Sequence, residues 1–300
     1  MRLGYIGLGK MGKNMVKLML EQGIEIVAFN RSLESVKEVE KDGAIGAYSY
    51  EDIFKNLDTD QRIIWLMVPH GAVDQVLTDL KPHLKANDIV IDGGNSNYKD
   101  TLRRGKEMEE MDIVYMDAGV SGGPWGARHG ACLLIGGDKD VYNLLEPIFQ
   151  AAAAPDCYQY LGKLGAGHFA KMVHNGIEYG MMQAIGEGMN VIRESDFDFS
   201  LKDVARIYNC RSVIESRLVN WLHEGYEKYG EELEDISGEV THSGEGQWTI
   251  ETAKEMGLEV PVIEESFNFR VNSKGNPSYT GKVVSMLRNM FGGHDVSKDE

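Results

Sequence analysis

Short runs rich in isoleucine and valine alternate with stretches of helical spacing from Arg2 to about Tyr160. Apolar runs at 3–6, 24–29, 63–68, 89–92, 113–117 and 132–135 predict strands, because strands buried on both faces read as near-continuous hydrophobic runs. Between them, 10–21, 33–41, 73–80, 98–111 and 141–149 repeat apolar positions at helical intervals and predict helices, with Pro69 and Asp88 marking joins. This alternation predicts an α/β fold in which a doubly wound parallel sheet is covered by helices. After 151–155 no further strand is predicted, and helical spacing continues to Gly292. The chain therefore divides into an α/β domain over 1–164 and an all-α domain over 165–300, with a polar tail, 295–300, expected to fray.

One glycine string turns the first domain into a cofactor-binding candidate. Gly7-Leu8-Gly9-Lys10-Met11-Gly12 fits GxGxxG, a string that 35 glycines can produce by chance, so its placement decides. It follows the first predicted strand and opens the first predicted helix. There the first glycine permits a tight turn, the second lets backbone approach a pyrophosphate, and the third lets helix pack on strand. Amides and the helix dipole then hold the anion, which makes the domain Rossmann-type; an ordinary tight turn without a ligand is the alternative. A second string, Gly165-Ala166-Gly167-His168-Phe169-Ala170, has no strand after it and reads as helix entry. At the end of the second strand, Asn30-Arg31-Ser32 stand where an acidic residue would hold the ribose hydroxyl of NAD. Arg31 and Ser32 suit a 2′-phosphate, so NADP is favoured and NAD remains possible. Val68, Pro69 and Asn95 complete the expected cofactor contacts.

Lys171, His174, Asn175 and Glu178 fall at i, i+3, i+4 and i+7, one face of one helix, with Met172, Val173 and Ile177 expected to be buried on the other. Such a stripe is either a solvated face with a local network or the lining of a cleft. In a cleft, a lysine and a glutamate seven residues apart serve two ends of one small substrate. Lys171 acts as a base only if its amine is held well below the ordinary lysine range, and Glu178 as a proton donor only if biased the opposite way. Asn95, in Asp92-Gly93-Gly94-Asn95-Ser96, and Ser121-Gly122-Gly123 lie in loops at the carboxyl ends of strands. Ligands of open α/β sheets bind at that edge, though each loop alone also reads as an ordinary turn.

Charge narrows the partners. The 47 acidic against 31 basic side chains give a net charge of −16, which disfavours nucleic acid and anionic membrane surfaces. The longest apolar run, 63–68, is far short of a bilayer span, and the first residues enter a strand pattern rather than a secretory signal. Three cysteines, Cys132, Cys157 and Cys210, have unrelated spacings, so neither a disulfide framework nor zinc is expected and a reducing cytoplasm fits. No compact histidine or carboxylate cluster is present, and no metal is expected.

Residues 165–179, Gly-Ala-Gly-His-Phe-Ala-Lys-Met-Val-His-Asn-Gly-Ile-Glu-Tyr, resemble the signature helix of the 6-phosphogluconate dehydrogenase family, within the β-hydroxyacid dehydrogenases. Gly93-Gly94-Asn95 and Ser121-Gly122-Gly123 are similar to its other fingerprints, and the resemblance covers essentially the whole chain. It implies oxidative decarboxylation of 6-phospho-D-gluconate to D-ribulose 5-phosphate and CO2 with reduction of NADP or NAD, as in the pentose phosphate pathway or gluconate utilisation. Lys171 is then general base and acid, and Glu178 the acid that protonates the enediol. Asn95, Ser121, Gly122, Gly123, His174, Asn175 and Tyr179 become substrate contacts. Arg270 resembles the family's phosphate-binding arginine, and Arg288 and His294 match a tail that the family donates across a dimer interface, implying a homodimer or higher homo-oligomer. The chain resembles the short subgroup, lacking about half of the common helical domain. Ser243-Gly244-Glu245 stand where the common form places lysine and threonine on the phosphate, and a glutamate there repels a dianion. Another β-hydroxyacid dehydrogenase, or a non-catalytic NADP-binding sensor, are the alternatives.

Overall fold

In the computed structural model, which describes residues 1–296, strands β1 (Arg2–Ile6), β2 (Glu25–Phe29), β3 (Ile45–Gly46), β4 (Ile63–Leu66), β5 (Ile89–Asp92), β6 (Val114–Ser121), β7 (Ala131–Gly136) and β8 (Ala153–Gly162) form one sheet. Its order is β3-β2-β1-β4-β5-β6-β7-β8, in which the chain steps outward from β1 in one direction and then in the other. Helices α1 (Lys10–Glu21), α2 (Leu33–Glu40), α3 (Tyr50–Asn56), α4 (Val73–Leu80), α5 (Tyr98–Glu109), α6 (Gly123–His129) and α7 (Lys139–Ala152) connect the strands.

Side chains of a strand alternate between faces, and here both faces are apolar. Leu3, Tyr5, Ile63, Trp65, Ile89 and Ile91 enter one core with α1, α2 and α7. Ile6, Ile64, Leu66 and Val90 enter the other, against α3, α4 and α5. This explains why the strands read as unbroken runs.

The sheet departs from the expected parallel one at β7, which pairs antiparallel with β6 through Ser121 and Cys132. Only 122–130 join the two strands, and a parallel return needs a dozen residues or more. Four elements named above escaped the apolar pattern, the seven-residue α6 among them. β3 has two residues, α3 is a short helix capped by Ser49, and β8 begins Ala153-Ala154-Pro155-Asp156 and exposes or half-buries every residue. β8 is an edge strand, where proline does no harm.

By internal contacts the chain forms two units, Met1–Lys171 and the chain from Met172 on. Helix α8 (Ala166–Arg193) begins in the first and continues into the second. There α9 (Leu201–Tyr208), α10 (Arg217–Tyr229), α11 (Glu245–Glu255), α12 (Pro261–Ser273) and α13 (Tyr279–Gly292) follow. Met182, Met189, Leu222, Tyr226, Val283 and Leu287 belong to its single core. The expected tail is only partly described: the Ser237 amide donates to the Val296 carbonyl at 2.9 Å, so 296 is tied down, and 297–300 lie outside the described residues.

Candidate functional site

The turn after β1 has the shape that a dinucleotide phosphate requires. Gly7 has φ +106°, and a Cβ there would collide with the Met67 carbonyl. Gly9 caps α1 without a side-chain hydrogen bond, a Cβ on it would meet nothing within 4 Å, and no acidic residue enters the first turn of α1. The helix start is thus open to an anion. The Leu8 amide donates to Asn30 Oδ1 at 3.0 Å, which ties the turn to the end of β2. Lys10, Arg31, Ser32 and Pro69 are exposed, and Met11 and Val68 half-buried. Ser32 Oγ donates to Glu34 Oε2 at 2.8 Å, so a carboxylate that the glycine motif gives no hint of stands beside this segment.

Asn95 is half-buried in a turn built on a buried acid. Asp92 Oδ1 accepts from the Gly94 amide at 3.0 Å, and Oδ2 accepts from Ser96 Oγ at 2.8 Å and Tyr115 OH at 3.1 Å. Arg104, 2% exposed, donates from Nη1 to Ser96 Oγ at 3.2 Å and from Nε to Asp74 Oδ1 at 2.8 Å. Ser121 ends β6, Gly122 caps α6 with φ +123°, and Gly123 is its first residue.

Lys171 is 8% exposed and owes its position to Asp117. This buried carboxylate accepts from the Gly165 amide at Oδ1 and the His168 amide at Oδ2, both at 2.7 Å, and so caps α8 from β6. Burial pushes the Asp117 carboxyl up, while His168 and the two amides oppose the shift. A Cβ at Gly119 would lie 2.5 Å from Lys171 Cβ, and one at Gly167 would strike the Leu134 carbonyl. These glycines let α8 sink onto the sheet and present Lys171 there. Gly167→Val is expected to lower the urea-unfolding free energy by about 1–3 kcal/mol, the usual cost of overpacking; an unchanged midpoint shows that the close approach at Gly167 is not needed for stability.

In the second unit, His174 Nδ1 lies 2.9 Å from Asn175 Oδ1 and 3.8 Å from Glu178 Oε2. The Glu178 side chain is 21% exposed, so this is not a fully solvated stripe. The opposite face differs in part from expectation. Met172 is buried and Val173 half-buried, but Ile177 is 53% exposed, as Met181 and Val191 further along α8 also are. Helical spacing marks an apolar face without saying what covers it.

Arg270, from α12, is 2% exposed and stacks on Tyr179, its Cζ 3.3 Å from the ring centroid. Both its terminal nitrogens are buried without a hydrogen-bond partner among the described residues. Arg288, 5% exposed on α13, donates from Nη1 to Thr241 Oγ1 at 2.6 Å. Burial pushes the Arg270 guanidinium down to about 10, and the nearby Arg288 charge adds to the shift, as a like charge must. Arg288 belongs to the same chain as Tyr179 and Arg270. Helix α13 continues through Phe291 and Gly292 and ends at Gly293 in the left-handed conformation. His294 follows, its ring 6.2 Å from that of Phe291 and its carbonyl accepting from Asn289 Nδ2. Sequence reading missed Thr241 and Asp117. Neither sits in a motif, and a buried partner shows no periodic signal.

Two family models match the chain: the NAD binding domain of 6-phosphogluconate dehydrogenase over 2–162 and the 6-phosphogluconate dehydrogenase C-terminal domain over 167–290. The Bacillus subtilis protein YqeC is 46% identical, across 99% of this chain and 100% of its own. The NAD(+)-dependent, decarboxylating 6-phosphogluconate dehydrogenase of Haloferax volcanii is 41% identical, with 100% of both chains covered. The Plasmodium falciparum 6-phosphogluconate dehydrogenase, solved apo and with NADP+ and with 6-phosphogluconate, superposes with a TM-score of 0.78 at 28% identity, over 97% of this chain and 70% of that one. A mostly parallel sheet with an open glycine turn after β1, a helical second unit and these matches converge: the chain belongs to the 6-phosphogluconate dehydrogenase family of NAD(P)-binding oxidoreductases.

Proposed function

We propose that this protein oxidatively decarboxylates 6-phospho-D-gluconate to D-ribulose 5-phosphate and CO2, with NADP as the preferred hydride acceptor. The observation that carries the phosphorylated substrate is Arg270. A buried guanidinium whose terminal nitrogens lack partners is costly unless an anion completes it, and a phosphate near two negative charges matches two guanidinium forks.

A nicotinamide dinucleotide held by the turn from Gly7 to Gly12 and by Asn30, Arg31 and Ser32 would supply the acceptor for the hydride that leaves C3 of the substrate. Lys171, as free amine, takes the proton of the C3 hydroxyl. The ammonium so formed hydrogen-bonds the new carbonyl oxygen and, as C1 leaves as CO2, transfers its proton to that oxygen, which gives the enediol and returns Lys171 to the free amine. Glu178 then delivers a proton to the carbon that carried the carboxylate, and Lys171 takes the proton of the adjacent enediol hydroxyl as the ketone forms. Asn95, Ser121, Gly122, Gly123, His174 and Asn175 supply hydrogen bonds to substrate hydroxyl and carboxylate groups, with Asn95 also at the cofactor. Arg31 supports NADP through its charge. Glu34 opposes it, so the preference is modest. Exposed Ile177, Met181 and Val191 on α8 and Phe197 beyond it support a homo-oligomer that covers them.

The deciding experiment compares 6-phosphogluconate with gluconate, each with NADP and NAD, and follows both reduced cofactor and CO2. The expected kcat/KM is highest for 6-phosphogluconate with NADP and about 100-fold lower for gluconate, the worth of two charge-assisted contacts after partial compensation. Equal turnover of gluconate, or reduction without CO2, favours a different hydroxyacid. A higher kcat/KM with NAD overturns the role of Arg31.

A further inference from the structure

A buried carboxylate lies within electrostatic reach of Arg270 and Arg288. Glu245 opens α11 at 3% exposure, and its Oε2 accepts from Ser243 Oγ at 2.9 Å. The first turn of α11 presses on Tyr179, since a Cβ at Gly246 would lie 2.5 Å from Cε2 of that ring. Arg270 lies on the same ring. The groups facing this point are Arg270 from α12, Arg288 from α13, Tyr179 and Glu178 from α8, and His242 from the segment before α11. The Glu245 charge is felt by Arg270, Arg288, Tyr179 and His242. Burial and the two guanidiniums lower the His242 imidazole from its ordinary value, which biases it toward the neutral form.

We infer that Glu245 is a specificity-determining residue: an internal counter-anion of Arg270 and Arg288, with which the phosphate of the substrate competes. The inference rests on the phosphorylated-substrate proposal above. Two buried guanidiniums that feel each other's charge repel and have lost hydration; a carboxylate at the start of α11, where the helix dipole favours it, offsets part of both costs while no substrate is bound. Once a phosphate enters, the same carboxylate faces nearly two further negative charges at low effective dielectric, and repulsion takes back part of what the arginines supply. The pocket therefore discriminates phosphorylated from unphosphorylated sugar acids less than its arginines alone would.

Glu245→Gln removes the charge and keeps an acceptor for Ser243; Glu245→Ser, a neutral helix-capping side chain, is the second variant. Calorimetric titration of the full-length protein with 6-phosphogluconate, inorganic phosphate and gluconate reads the effect, alongside the thermal midpoint without ligand. Both variants are expected to bind 6-phosphogluconate and phosphate about tenfold more tightly, to leave gluconate binding unchanged, and to melt earlier when unliganded. Unchanged phosphate affinity in folded variants overturns the inference. So does weaker 6-phosphogluconate binding, which makes Glu245 a direct acceptor for the substrate. If the unaltered protein binds neither 6-phosphogluconate nor phosphate, the phosphorylated-substrate proposal fails and takes the inference with it.

Discussion

Lys171→Ala is expected to lower kcat by about 1,000-fold or more with 6-phosphogluconate, while the protein still melts cooperatively and still binds NADP. General base catalysis alone contributes roughly 100- to 10,000-fold, and Lys171 is assigned three successive duties: accepting a proton, returning it to the carbonyl oxygen during decarboxylation and accepting it again as the ketone forms. The substitution leaves the fold nearly untouched, because the anchors of this helix turn are the backbone amides of Gly165 and His168 on Asp117 rather than the lysine side chain. Lys171→Arg should not rescue activity, since a guanidinium stays charged and cannot accept the first proton. Near-normal turnover in Lys171→Ala removes the residue from the mechanism. Loss of cofactor binding instead assigns it to the nucleotide.

The second large effect is expected at Arg270. Arg270→Met should raise KM for 6-phosphogluconate by about 10- to 100-fold, the worth of one charge-assisted hydrogen-bonded pair, with KM for NADP nearly unchanged. The same substitution should raise the thermal midpoint of the unliganded protein. Its guanidinium is 2% exposed, both terminal nitrogens lack a hydrogen-bond partner among the described residues, and exchanging a buried charge with unmade hydrogen bonds for an apolar side chain of similar length is commonly stabilising. Methionine also keeps contact with the Tyr179 ring through its sulfur. The signature is thus a weaker site in a sturdier protein. Unchanged KM places the phosphate elsewhere, and a fall in midpoint shows that Arg270 serves the fold.

Much of the fold is legible in the order of residues alone. The strands of the central sheet announce themselves because they are buried on both faces, so β5 has the bounds its apolar run predicts. The start of α1 is legible because the glycine turn is a local backbone requirement. What stays hidden is set by distant partners. The direction of β7 follows from how few residues link it to β6, β8 takes its place from pairing with β7 despite Pro155, and Ile177 keeps an apolar side chain that the described residues leave exposed. At the candidate site the one-face geometry of 171–178 follows from spacing alone. The cap by Asp117 and the pairing of Arg288 with Thr241 join residues 48 and 47 positions apart, and no periodicity encodes such contacts.

Lys171 and Glu178 ride on one uninterrupted helix, Ala166–Arg193. Seven residues of α-helix span about 10.5 Å and close to two full turns, which aligns the two side chains to within about 20° around the axis. That arrangement behaves as a fixed ruler. Replacing side chains along it alters chemistry without altering spacing, whereas inserting or deleting one residue between the two swings Glu178 about 100° away from the lysine. Substitution within 172–177 therefore preserves the spacing of the pair even where it costs a contact, as at His174, Asn175 or the tightly packed Gly176, whereas a change of length there misaligns it.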